Sequence, residues 1–147
     1  MEIVKKYLLK FLCVVALIAL FFPMAIVTVE GGYNSEEVVV SGFMAAFQGY
    51  IAMLLIVGPI VIIAADYIEA IKDYKPIMIV AIPVVCIIVT FIAYLQAAGL
   101  AAVADNPYVD CTSSLGFGGV LCLIAHIGIA VVGYLENKDA IKTMIKK

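Results

Sequence analysis

His126 is the only histidine in the chain, and its side chain is the first candidate for chemistry. It lies in the middle of the apolar stretch LCLIAHIGIAVVGYL, positions 121–135. An imidazole ring can exchange a proton near neutral pH or bind a metal ion, and it can also hydrogen-bond a neighbouring helix. The chemistry open to His126 therefore depends on whether this stretch lies in water or in a membrane.

The four cysteines invite a comparison with membrane enzymes that make disulfides. Such enzymes need a closely spaced, exposed cysteine pair, because only an accessible thiolate exchanges. Cys13, Cys86 and Cys122 fall within apolar stretches, and only Cys111 falls in a polar loop. We therefore expect no redox catalysis. Cys111 is either reduced or available for an intermolecular disulfide.

Other catalytic arrangements are also missing from the sequence. No Ser-His-Asp set, zinc-ligand spacing or phosphate-binding loop can be assembled, because there is a single histidine and its surroundings are aliphatic. Small multidrug transporters depend on a glutamate within their first span, but no acid occurs at positions 11–29 here. We expect a protein that is not an enzyme and has no cofactor or metal.

Composition places the chain in a membrane. Apolar residues make up 66% of the 147 positions and charged residues 14%, against roughly 45–50% and about 25% in soluble domains. A spanning helix needs roughly 17–25 apolar residues. Four stretches are long enough: 11–29, 43–65, 77–103 and 117–135. The sequence predicts an all-α membrane protein, a single four-transmembrane-helix bundle over residues 1–147.

The lysines predict the orientation, because lysines and arginines in short loops stay in the cytoplasm. All nine lysines precede the first stretch, lie between the second and third, or follow the fourth: Lys5, Lys6, Lys10, Lys72, Lys75, Lys138, Lys142, Lys146 and Lys147. The other two connections, 30–42 and 104–116, hold five acids and no lysine. We expect a multi-pass protein of the cell membrane with both termini cytoplasmic, and we read the lysines as lipid anchors, not nucleic-acid contacts.

A cleaved signal peptide is a rival interpretation of the first stretch. That stretch is longer than a usual signal peptide core and has no clear A-x-A cleavage site, so we interpret it as a retained helix.

The segment after the first stretch changes from helical to strand character. Two β-branched runs, 26–29 and 38–40, are separated by turn-forming residues at 31–35. Pro23 lacks an amide donor and tends to end or kink a helix. We predict a small extracellular β-hairpin cap over about 25–41, with a third strand through 108–112.

Four short motifs carry a resemblance. They are Phe22-Pro23, the Val-Thr-Val-x-Gly-Gly turn at 27–32, Val-Ser-Gly-Phe at 40–43 and Leu115-Gly116-Phe117-Gly118. The chain resembles the small four-span membrane proteins of Gram-positive bacteria, which often have Trp where Met24 stands here. This resemblance implies an architecture and no activity. The topology is also similar to that of claudins, but the claudin tryptophan motif and loop cysteine pair are absent.

Three polar residues within the apolar stretches form the candidate site. Gln48, Gln96 and His126 lie roughly 8 to 14 Å below the predicted outer edge, at 1.5 Å per helical residue. We expect them to form one cluster, which acts either as interhelical hydrogen bonds or as the lining of a ligand or ion path.

Two functions are compatible with these observations. The first is a non-enzymatic interaction or accessory subunit, whose partners are the lipid bilayer and a second protein or further copies of the chain. The alternative is a small oligomeric channel or transporter built around the polar cluster. Nucleic acid is not an expected partner.

Overall fold

The computed structural model describes residues 2–31, 34–48, 51–105 and 107–145. These residues form six helices and three strands. In chain order the elements are α1 Glu2–Ala19, β1 Pro23–Gly31, β2 Asn34–Ser41, α2 Gly42–Gln48, α3 Leu54–Ala64, α4 Glu69–Lys72, α5 Lys75–Ala104, β3 Val109–Leu115 and α6 Phe117–Ile145.

The predicted all-α four-transmembrane-helix bundle is wrong. The fold is mixed, with a three-stranded antiparallel sheet beside the six helices. Among the described residues two helical segments are long and apolar enough to cross a membrane, Lys75–Val103 and Phe117–Thr143. The other apolar helical segments, Tyr7–Ala19 and Leu54–Ala64, are shorter.

The first predicted span, 11–29, fails because its second half is a strand. Helix α1 stops at Ala19, and tight turns come next, in which the amide of Phe21 donates to the carbonyl of Ile18 at 3.0 Å. Pro23 cannot donate to a helical hydrogen bond, and the β-branched run after it favours extended backbone. A hydropathy scale gives an apolar side chain the same value in a strand as in a helix, so it could not detect the strand here.

The second predicted span, 43–65, is interrupted. Helix α2 ends at Gln48 and α3 begins at Leu54, after a turn in which the amide of Leu54 donates to the carbonyl of Ile51 at 3.1 Å. Hydropathy sums side-chain transfer energies and does not report whether the helix is continuous. The third and fourth stretches do become the long helices α5 and α6.

The strands form one sheet in the order β2-β1-β3. Strand β1 is central, and Thr28 at its middle lies opposite Glu37 of β2 and Thr112 of β3. The predicted hairpin segment and the predicted third strand are both strands, and both are longer than expected. Residues 32 and 33 of the predicted turn lie outside the described residues. A register shift between Pro23 and Ala25 marks the start of β1.

Glycines allow the helices to approach closely. A Cβ atom on Gly58 of α3 would lie 2.9 Å from the Cys86 Sγ atom of α5. A Cβ atom on Gly118 of α6 would lie 2.6 Å from the carbonyl oxygens of Ala19 and Phe22. Small residues at such contacts are typical of helices that pack without water between them.

The outward faces of the helices are apolar. In the apolar 18-residue segment of α5 only 28% of the residues are buried, and in that of α6 only 39%. Large side chains are exposed on both helices, including Ile88 at 53%, Leu95 at 63% and Ile124 at 61%. Soluble monomers rarely expose contiguous apolar patches larger than a few hundred Å², so exposed apolar side chains along two long helices are unusual for that class.

Replacing Gly118 with alanine should destabilise the fold, because the new methyl group meets two backbone carbonyls that cannot rotate away. We expect a cost of roughly 1–3 kcal/mol, measured as the thermal unfolding midpoint in detergent. The matched control is Gly99→Ala, since nothing lies within 4 Å of a Cβ atom there. Equal midpoints for the two variants would contradict the close contact.

Candidate functional site

His126 lies on the buried face of α6. Its side chain is 0% exposed, as is Cys122 one turn earlier and Ile129 one turn later. Ile124 and Ile127, on the other side of the helix, are exposed. The 3.6-residue period of the helix therefore turns the imidazole ring towards the neighbouring helices and away from the surroundings of the protein.

The hydrogen bonds of the ring indicate its tautomer. The Nδ1 atom lies 2.7 Å from the carbonyl oxygen of Cys122 and 3.4 Å from its Sγ atom. A carbonyl oxygen only accepts, so Nδ1 carries the proton and donates it. The Nε2 atom is then an acceptor, and it has no hydrogen-bond partner among the described residues. One of the two ring nitrogens therefore makes no hydrogen bond within the described residues.

A chain of weakly polar groups connects His126 to the other helices. The Thr90 hydroxyl of α5 donates to the carbonyl of Cys86 at 2.9 Å and lies 3.8 Å from the Cys122 Sγ atom. The Cys86 thiol donates to the carbonyl of Leu54 in α3 at 3.5 Å. We call Cys86, Thr90, Cys122 and His126 the buried polar strip. It joins α3, α5 and α6 where apolar contacts alone have no preferred register.

The buried polar strip has no access from outside. Each of its four side chains is at most 1% exposed, so a substrate could reach them only if the helices separated. Within the described ranges no group of three or more His, Cys, Asp or Glu residues could hold a metal ion. The arrangement suits hydrogen bonding between helices.

Gln96 does not join His126. It is exposed and lies in a groove of about 590 Å³. The groove is lined by residues of β2, α5 and the α2–α3 region: Val40, Ala45, Ala52, Ala93, Gln96, Ala97, Gly99, Leu100 and Val103. Gln96 follows Thr90 by six residues, about 120° around a helix from the face that meets α6. The side chain of Gln48 lies outside the described residues.

A cluster of charges occupies the opposite end of the helices. The Lys10 Nζ atom of α1 lies 3.2 Å from an Asp66 carboxylate oxygen, and the Lys75 ammonium of α5 bonds the other oxygen. Lys10 also donates to the Tyr67 hydroxyl at 3.3 Å and lies 5.0 Å from the centre of that ring. We call Lys10, Asp66, Tyr67 and Lys75 the ion cluster. It joins the middle of α1, the turn after α3 and the start of α5.

The ion cluster keeps Lys10 charged. The hydrogen bond to Tyr67, followed by that to Asp66, raises the pKa of Lys10 above its usual 10.5. The resulting stabilisation is complete below pH 10.5 and is lost only as the pH rises through the higher, folded-state pKa. Sequence reasoning placed Lys10 and Lys75 on the same predicted side but did not pair either of them with Asp66. The pairs join residues nine and 56 positions apart, which spacing alone does not predict.

No family model, curated protein or solved structure matches the chain. The resemblance to small four-span proteins therefore stays a prediction. The function of the protein has to be inferred from the geometry of its own residues.

Removing the unpaired acceptor of His126 should not harm the fold. We expect His126→Met, which has a similar volume and no ring nitrogen, to match the wild type in stability or exceed it by up to about 1 kcal/mol. Thermal unfolding in detergent measures this. A large loss would mean that the Nε2 atom has a partner in the folded protein.

Replacing Asp66 with asparagine should destabilise the protein, since two ammonium groups would lose the carboxylate between them. We expect the unfolding midpoint to fall by a few degrees at low salt and by less at high salt, because salt screens the lost pairs in the wild type. Asp73→Asn, at an exposed position nearby, is the control. A deficit that does not depend on salt would argue against an electrostatic role.

Proposed function

We propose that the protein is embedded in a membrane, with α5 and α6 crossing the bilayer and both chain termini on the cytoplasmic side. The exposed apolar faces of these helices support this, since a core helix of a soluble protein is mostly buried. The distribution of charge supports the orientation. The ion cluster lies at the end where the lysines are found, and lysines are retained in the cytoplasm.

We propose further that it acts as a non-enzymatic interaction or accessory subunit. The observation that supports this is where the accessible polar groups lie. The buried polar strip is sealed inside the helices, while the sheet at the outer end has an uncovered edge strand, β2. An uncovered edge strand offers unpaired backbone N–H and C=O groups to a partner chain.

The proposed outer surface consists of β2 and the groove that contains Gln96. The two are continuous, because Val40 belongs to both. Alanine and glycine line much of the groove, so a helix could approach closely, and the Gln96 amide could hydrogen-bond to it. A partner protein or a further copy of the chain would cover this surface.

An oligomeric channel or transporter is the second candidate. The observation in its favour is also Gln96: a second copy that closed the groove would enclose a polar side chain. His126 would then be the proton-sensitive residue if opening of the helices exposed its unpaired Nε2 atom to water.

Photo-crosslinking in the native membrane tests the proposed function. A photoreactive amino acid at Val38 in β2 or at Leu100 beside the groove should give an adduct of defined mass. The same residue at Ile124, on the apolar face of α6, should give lipid adducts alone. All three positions are exposed, at 54%, 72% and 61%.

Absence of a protein adduct at both Val38 and Leu100 would contradict the interaction function. Ion or substrate flux in proteoliposomes that His126→Gln abolishes without unfolding would favour the channel instead.

A further inference from the structure

Strand β2 is an open edge of the sheet. It pairs with β1 on one side and is the last strand in the order β2-β1-β3. All residues from 34 to 39 are exposed. On the other edge, β3 alternates between exposed and partly buried residues. An edge strand offers unpaired backbone N–H and C=O groups to any extended chain.

The apolar half of β2, from Val38 to Ser41, contains no lysine or proline. Natural edges are blunted by lysine, proline, a bulge or a covering loop. Val38 and Val39 are 54% and 45% exposed, and consecutive residues of a strand point to opposite faces. Both faces of the sheet therefore present an uncovered valine beside the open backbone. A fourth strand would bury both.

The charge of the sheet is of one sign. Glu36 and Glu37 are exposed on β2, and their neighbours on β1 are Val29 and Thr28, which cannot neutralise them. Across the described strands the charged residues are Glu30, Glu36, Glu37 and Asp110, with no lysine. A segment that adds to β2 therefore gains most if it carries positive charge.

A second copy of the chain fits this edge poorly. A second copy carries the same Glu36 and Glu37 on its own β2 and no basic residue there to pair with them. Like charges beside each other destabilise a strand pair.

We propose that the edge of β2 binds an extended, lysine- or arginine-bearing segment of a partner protein as a fourth strand. This binding mode rests on the proposed interaction function, and it specifies that the partner segment is extended and basic. Backbone hydrogen bonds supply the pairing, Val38 and Val39 supply apolar contact, and Glu36 and Glu37 select the basic segment.

The probe is a synthetic peptide of alternating lysine and valine, presented to the protein in nanodiscs of zwitterionic lipid. We expect it to bind and to slow hydrogen exchange in β2. A peptide with glutamate in place of lysine should not bind. Neither should the lysine peptide with methylated amides at alternate positions, because it keeps its charge and loses its backbone donors.

Charge reversal tests the selectivity. The Glu36→Lys/Glu37→Lys variant should bind the lysine peptide about tenfold more weakly or worse, and should prefer the glutamate peptide. Asp110→Asn, on the other edge of the sheet, is the matched control and should leave binding by β2 unchanged.

Three results would overturn the proposal: undiminished binding of the methylated peptide, equal binding by the charge-reversed variant, or crosslinking of two copies through β2. A partner crosslinked at Leu100 together with no peptide binding to β2 would also overturn it, and would leave the proposed interaction function standing.

Discussion

The close backbone contact between the start of α6 and the α1–β1 junction is the constraint on which the rest of the structure depends. The amide of Gly116 donates to the carbonyl of Met24 at 2.9 Å, and Gly118 lies directly against the carbonyls that end α1. Side chains at these two glycine positions would separate the segments. The contact places β3 beside β1 and α6 beside α1, so it joins the sheet to the helices.

The polar groups inside the helices are a consequence of this close packing. Apolar helices lack directional contacts, and the hydroxyl of Thr90 and the thiols of Cys86 and Cys122 supply them without introducing charge. Each bonds a carbonyl or another member of the strip, and this limits the cost of burial. His126 is the exception, because one ring nitrogen has no partner among the described residues. The strip is a sealed interior feature.

Charge is confined to the two ends of the molecule and differs in kind between them. At one end Lys10 and Lys75 share Asp66, so charges of opposite sign pair there and connect α1 and α5 to the turn after α3. At the other end the described strands carry acids alone. Paired charges stabilise the fold locally, whereas acids with no basic neighbour beside an open strand edge are available to another molecule. The proposed interaction surface therefore lies on the sheet.

The sequence by itself determined the apolar character of the helices, the asymmetry of the lysines and the strand character of the residues after Pro23, because these depend on composition and short-range pattern. Tertiary structure decided where helices stop and which side chains meet. Hydropathy could not separate the strand at 26–29 from a helix. Depth along a helix placed Gln96 near His126, but rotation about α5 separates them. The pairing of Lys10 with Asp66 likewise exists only because α1 and α3 pack side by side, which no local pattern encodes.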